Sequence, residues 1–363
     1  MSIALFIDFS KAFDCIDHRI LAYKMQNLGI RGPALELMKS YLTSRKQYVY
    51  YDKKYSAPIT PKYGTPQGSL LGPLIFLIYI NDIINSTESL SLTIYADDVN
   101  GSRSGTNLKE LVKTINTQLI SLNDWIVSNG LSINVLKICH MLFNCKNEIQ
   151  EYELKIGGTP IPRVLTTKLL GLHIDDKLKW NVHTNYVAGR VSKVCGVIYK
   201  IRNKLTPSAM RTIYMSLIYT HLLFCLPIWG NTWACHLRPV ELAQKRAIRT
   251  ISNVARYDHT HELFISLKLL KIKYMCIYFS ALIVFKFLNC NYVPDIFVRD
   301  ANPYALRNIN NVIVPPTRSE LFIKSVFYKA PSIWYNLEVP LKQISNINTF
   351  KFKLKESLFS LQA

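Results

Sequence analysis

The chain has 363 residues, 49% of them hydrophobic and 12% aromatic, which excludes a disordered polypeptide and leaves length for two or three domains with sizeable cores. Forty-four Lys and Arg against 24 Asp and Glu give a net charge of +20, an excess that favours polyanions such as nucleic acid or an anionic membrane surface. Eight cysteines without a CxxC pair, and no secretory signal, point to free thiols in a reducing intracellular setting, cytoplasm or nucleus, and leave Cys139-His140 and Cys235-His236 without the spaced partners of a metal site.

In chain order, SIALFIDF (2–9) is a β-rich apolar run expected to form a buried central strand. SKAFDCIDHRILAYKMQNLG (10–29) has helical spacing, with Ser10 as N-cap and Gly29 as stop, and GPALELMKSYLTSR reads as a second helix. QYVYYDKKYSAPITPKYG reads as a hairpin, and GTPQGSLLGPLIFLIYIND (64–82) as a loop that becomes a buried helix. LSLTIYADDVNGSRSG alternates as two strands joined at a tight turn, with Asp97 and Asp98 at the bend. A long helix capped by Thr106 and stopped by Gly130 follows, then a strand CHMLFNC, a KIGGTPIP hairpin and a KLLGLHID strand. From about Asn181 the pattern changes to long basic helices, HTNYVAGRVSKVCGVIYKIRNKL, PSAMRTIYMSLIYTHLLFCLPIWG, RPVELAQKRAIRTISN and IKYMCIYFSALIVFKFLN. The most apolar windows, 69–80 and 274–285, are too short to span a bilayer, so a soluble protein without a membrane partner is expected.

Two adjacent carboxylates at a strand turn raise each other's cost of ionising unless a cation neutralises them. Mg²⁺ takes oxygen ligands from one or two carboxylates and completes its shell with substrate phosphates, so a third carboxylate is expected from a neighbouring strand. Asp8 ends the first strand and is expected beside the 92–98 strand. Two metals between Asp8 and Asp97, with Asp98 adjacent, suit an in-line displacement at phosphorus. A solvated turn former is the plain alternative for an isolated Asp-Asp pair.

FIDFSKAFDCIDH (6–18), GTPQGSLLGPLIFLIYIND (64–82) and YADDV (95–99), in this order, resemble motifs A, B and C of reverse transcriptases, in the form found in non-LTR retrotransposons. The resemblance implies an α/β (α+β) palm with an antiparallel sheet (1–180), an all-α thumb and connection (181–257) and a helical C-terminal region (258–363). It implies RNA-directed DNA synthesis with two Mg²⁺ ions, or Mn²⁺ in their place, held by Asp8, Asp97 and Asp98. Phe13 takes the place of the steric gate against ribonucleotides, for which a core aromatic is the alternative. Gln67 and Gly68 lie where the family meets nucleotide and template. NGLSINVLKICHMLF (129–143) resembles motif D and puts Lys137 at the position of the general acid that protonates pyrophosphate. Here Val135 and Ile138 depart from the usual proline and threonine. TTKLLGLHIDDKLKW resembles motif E, with Leu170 and Gly171 in the primer grip. The implied partners are an RNA template, a DNA primer and deoxynucleotides. Lys193, Lys200, Arg202 and Lys204 are candidate phosphate contacts. Met1 falls just before motif A, so the fingers and upstream endonuclease are expected to be absent or supplied by a partner. The alternatives are an inactive remnant that keeps only nucleic-acid binding and, less well matched by motif B, a two-metal nuclease or cyclase.

Overall fold

The computed structural model describes residues 1–43, 45–143, 151–290, 296–299 and 312–362, a mixture of helices and small antiparallel sheets that divides into two compact units, Met1–Thr167 and Lys168–Ala363.

The first unit is built on a four-stranded antiparallel sheet in the order Ser91–Tyr95, Asp98–Ser104, Ser2–Asp8, Cys139–Phe143. Alternation along Ser2–Asp8 buries Ile3, Leu5 and Ile7 on one face, as a strand with one covered side requires. That face belongs to a core with Phe76 and Tyr79 of the helix Gly72–Ile80 and with Leu111, Ile115, Leu119, Leu122 and Ile126 of the helix Leu108–Ser128. The last five recur at three- and four-residue spacing, one stripe of an amphipathic helix.

The strand beside Ser2–Asp8 is the outgoing arm of the hairpin, Asp98–Ser104, and not the incoming arm ending at Tyr95. This corrects the expected pairing: the hairpin folds back so that Ser91–Tyr95 takes the sheet edge, and Asp8 faces Asp98 in register. Helix starts also differ from the sequence reading. Residues 10–17 form a loop with a short 3-10 turn, Ala12–Asp14, and the helix begins at His18 under an Asp17 cap whose carboxylate accepts the Arg19 N–H at 2.8 Å. Lys11 in the left-handed region interrupts the periodicity that extends back to Ser10. The long helix is capped by Asn107 and not by Thr106. The last two residues of the CHMLFNC stretch, Asn144 and Cys145, lie outside the described residues.

The KLLGLHID stretch is a hairpin, Thr166–Leu169 with Leu172–Asp175, rather than one strand, turning at Leu170 (φ 46°) and Gly171 (φ 89°). In the second unit, Asn181–Ile201, Ala234–Ile251, Ile272–Asn289, Val326–Tyr335 and Ile347–Gln362 surround a core containing Trp229, Phe285, Trp334 and Phe350. The stretch read as one helix over 207–230 is segmented: α-helix Pro207–Ile213, a π-helical stretch Tyr214–Tyr219, α-helix Thr220–Leu223, then a break at Phe224 and Cys225 before Leu226–Trp229. Ile272–Asn289 is 18 residues and, by length and composition alone, apolar enough to cross a membrane, longer than the window the sequence reading considered. Half of it is buried against this core, Met275, Ser280 and Phe285 included, which accounts for its apolarity by packing. The buried Gln244 amide knits the unit together, donating to the Leu270 carbonyl at 3.0 Å and accepting the Ile272 N–H at 2.8 Å.

Candidate active site

The first strand ends at Asp8, flanked on both sides. On one side Asp98 opposes it across the strand pair, while Tyr95 pairs with Asp98 from the edge strand. Ala96 and Asp97 make the two-residue turn, with Ala96 at φ 52°, the positive value such hairpin turns require. On the other side the segment 132–134 runs along Asp8, Phe9 and Ser10: Phe9 bridges to Ile133, and the Ser10 N–H donates to the Ser132 carbonyl at 2.8 Å. Asn134 holds Asp8 twice, through its backbone N–H to the Asp8 carbonyl at 2.8 Å and through Nδ2 to Oδ2 at 3.0 Å. The Asn134 carbonyl accepts the N–H groups of Lys137 and Ile138, which closes the turn that brings Lys137 Nζ to 3.1 Å from Asp8 Oδ2.

A cleft of about 470 Å³ opens here, lined by the loop 8–14 together with Gln67, Asp97, Asn134 and Lys137. Phe13 packs its ring against Phe76, centroids 4.8 Å apart, while still lining the cleft. Gln67 donates from Nε2 to Asp14 Oδ1 at 3.2 Å. The loop carrying Gln67 is laced to the 13–18 segment: the Gly64 N–H donates to the Ile16 carbonyl at 2.8 Å, the Thr65 N–H to the Phe13 carbonyl at 3.0 Å, and His18 Nε2 lies 2.8 Å from the Gly64 carbonyl. Gly64 permits this approach, because a Cβ there would lie 2.9 Å from the Asp14 backbone and φ is +79°. Gly68, also at positive φ (+77°), faces open space.

The structure therefore brings Asp8, Phe13, Gln67, Asp97 and Lys137 around one cleft, puts Asp98 beside it opposite Asp8, and leaves Leu170 and Gly171 in the hairpin of the other unit. Asn134 and Lys11 also line the cleft and carry no assigned role in the sequence reading; the signal for Asn134 is its place as the second asparagine of the NGLSINVLK block that resembles motif D. Burial pushes the Asp98 carboxyl above its ordinary proton affinity, reinforced by the charges of Asp97 and Asp8 and opposed by Lys137. The donor set of three carboxylates is the oxygen chemistry that suits a hard divalent cation, and the crowded charge beside Asp98 is what such a cation relieves. Among the described residues no three His, Cys, Asp or Glu side chains have converged as a ligand group. Lys137 meanwhile supplies the positive charge next to Asp8.

Residues 2–174 match the family model described as reverse transcriptase (RNA-dependent DNA polymerase). The chain is 27% identical over 279 residues to the RNA-directed DNA polymerase from mobile element jockey of Drosophila funebris, covering 74% of this chain and 30% of that protein. It is 26% identical over 265 residues to the probable RNA-directed DNA polymerase from transposon BS of Drosophila melanogaster, covering 70% and 29%. The chain thus spans less than a third of the length of these relatives. Among solved structures, apo telomerase from Candida tropicalis aligns with 76% of this chain and 45% of its own at 14% identity, with a TM-score of 0.37.

Proposed function

We propose that this chain, whose residues 2–174 match the reverse transcriptase family model and which is similar to polymerases of Drosophila mobile elements, is the polymerising core of a non-LTR retrotransposon RNA-directed DNA polymerase that extends a DNA primer on an RNA template. The observation that supports this reading is the gathering of Asp8, Gln67, Asp97 and Lys137, contributed by separate stretches of sequence, around one cleft.

In this reading residues 1–180 act as palm, 181–257 as thumb and 258–363 as a helical C-terminal region, with fingers or endonuclease supplied by a partner or by further sequence. Asp8 and Asp97 would hold two Mg²⁺ ions, or Mn²⁺ in their place, with Asp98 adjacent. When bound, these ions lower the pKa of the primer hydroxyl and stabilise charge on the leaving oxygen. The chain's own side chains do the rest. Asn134 fixes the rotamer of Asp8 through the Nδ2 contact at 3.0 Å. Lys137 leaves Asp8 and donates its proton to the departing pyrophosphate oxygen, as a positioned general acid. Phe13, held by Phe76, occupies the space a ribose 2′-hydroxyl would need and so selects deoxynucleotides. Gln67, tethered to Asp14, and Gly68 beside it present a polar, close-approach surface to the nucleotide and template. Leu170 and Gly171 support the primer end.

Primer extension on an RNA template with Mg²⁺ and deoxynucleotides, run beside filter binding of the same primer-template, tests the assignment. Extension by the wild-type chain is expected to fall by at least about a thousandfold in Asp97→Asn, with binding changed less than about twofold, because only charge at the metal site is altered. Parallel loss of binding and extension, or no extension by well-folded wild-type protein, would overturn it.

A further inference from the structure

The unit Lys168–Ala363 carries a groove of about 830 Å³ lined by residues of the helices Asn181–Ile201 and Ala234–Ile251, the turn Arg202–Lys204 and the segment 254–257. Four guanidinium groups, those of Arg202, Arg246, Arg249 and Arg256, line it, and no carboxylate side chain does. Among the described residues none of the four forms an ion pair. Their protein partners are neutral: Arg249 donates from Nε to the Asp258 carbonyl at 2.7 Å, and Arg246 to the Ser192 hydroxyl at 3.5 Å. The Asp258 carboxylate is engaged in its own loop, where it accepts the Ala255 N–H at 2.9 Å. Four like charges around one concavity repel one another and focus a positive potential into it, which an anionic ligand relieves.

The groove is also aromatic. Tyr199 and Tyr257 are 59% and 85% exposed, and each has a guanidinium over its ring, Arg202 Cζ at 4.1 Å from the Tyr199 centroid and Arg256 Cζ at 5.8 Å from that of Tyr257. Phosphates neutralise the arginines, while ring faces and planar guanidinium groups offer platforms on which unpaired bases stack. A duplex keeps its base faces internal and has no use for the two tyrosines. An inorganic anion or an acidic peptide uses only the charges.

We propose that this groove is a second nucleic-acid site that takes a single-stranded polynucleotide without sequence preference, its phosphates on Arg246, Arg249 and Arg256 and its bases stacked at Tyr199 and Tyr257. The site shares no residue with the cleft at Asp8, and its test reads binding alone, so it stands or falls separately from the polymerase assignment.

The test is fluorescence anisotropy of the full chain with labelled oligouridylate and oligothymidylate of about ten nucleotides, with fluorescent heparin as a polyanion that carries no bases. The double variant Tyr199→Ala, Tyr257→Ala is expected to bind at least one oligonucleotide about tenfold more weakly, with an unchanged melting temperature and unchanged heparin affinity. Tyr257→Phe is expected to bind as the wild type does, since it keeps the ring, and Arg256→Gln to weaken oligonucleotide and heparin together. Loss with oligouridylate alone identifies RNA as the strand, and loss with both leaves either sugar acceptable. Unchanged oligonucleotide binding in the double variant, or an equal loss of heparin at an unchanged melting temperature, would overturn the proposal.

Discussion

At the scale of single residues, Asp8 is held between a like charge and two donors. Asp98 opposes it on one side, and on the other Asn134 and Lys137 both approach its Oδ2. Removing the amide in Asn134→Ala keeps the backbone hydrogen bond to the Asp8 carbonyl but frees the carboxylate. A hydrogen bond to a charged group contributes about 1.5–3 kcal/mol, so primer extension should slow by about tenfold or more and the half-saturating Mg²⁺ concentration should rise, with the circular-dichroism spectrum unchanged. In the second unit, His183 is buried beside Trp229 and His173, and burial, with a smaller contribution from the His173 charge, depresses its pKa to about 4. Its folded-state pKa lies below that of the unfolded chain, so the unfolded state takes up the proton first. Stability from this group is therefore complete above about pH 6.5 and declines as pH falls toward 4, by up to about 3 kcal/mol. In urea melts across that window the stability of wild type relative to His183→Phe should fall by up to about 3 kcal/mol as the pH drops; a difference that does not change with pH would contradict the assignment. Asp8, Asp97 and Lys137 were legible from sequence because each sits in a short local motif. The hold of Asn134 on Asp8 was not, because it joins positions 126 residues apart and only the sheet edge brings them together.

At the scale of elements, two tight turns set the cleft. Gly64 lets the Gln67 loop lie on the 13–18 segment, and a methyl group there meets backbone atoms that have nowhere to move. Gly64→Ala is expected to destabilise by about 2 kcal/mol or more, seen as a lower urea midpoint, whereas Gly68→Ala meets no neighbour and pays only for its positive φ, about 1 kcal/mol. The strands and most helices were readable because alternation and 3.6-residue spacing are strong over 7 to 21 residues. The exceptions have local causes. Lys11 in the left-handed region delays the first helix to Asp17, and the π-helical stretch Tyr214–Tyr219 adds a residue to the turn without disturbing the apolar pattern. The outward placement of Ser91–Tyr95 is a pairing choice that period-2 alternation cannot express, since both arms of a hairpin carry the same pattern.

At the scale of the whole molecule, the charge of +20 predicts that the proposed nucleic-acid binding depends on counterion release. The three arginines proposed to take phosphates, Arg246, Arg249 and Arg256, set a lower bound on that dependence. For single-stranded oligonucleotides the slope of log K against log salt should be about −2 or steeper, and Arg256→Gln should make it shallower by about 0.7; a flat response would exclude phosphate contacts as the basis of binding. The composition change near Asn181 marked the onset of the helical part, while the structural division falls after Thr167, within the first strand of the hairpin. A hairpin with short strands has no compositional signature, which is why the two positions differ.

The central claim, that Asp8 and Asp97 together hold the catalytic cations, is tested most directly by replacing Mg²⁺ with Fe²⁺ and generating hydroxyl radicals with ascorbate and peroxide, so that the backbone is cut where the ion sits. Cuts are expected next to Asp8 and next to Asp97, competed away by Mg²⁺ and both lost in Asp97→Asn. Cuts at other segments, or cuts beside Asp8 that persist undiminished in Asp97→Asn, would contradict it.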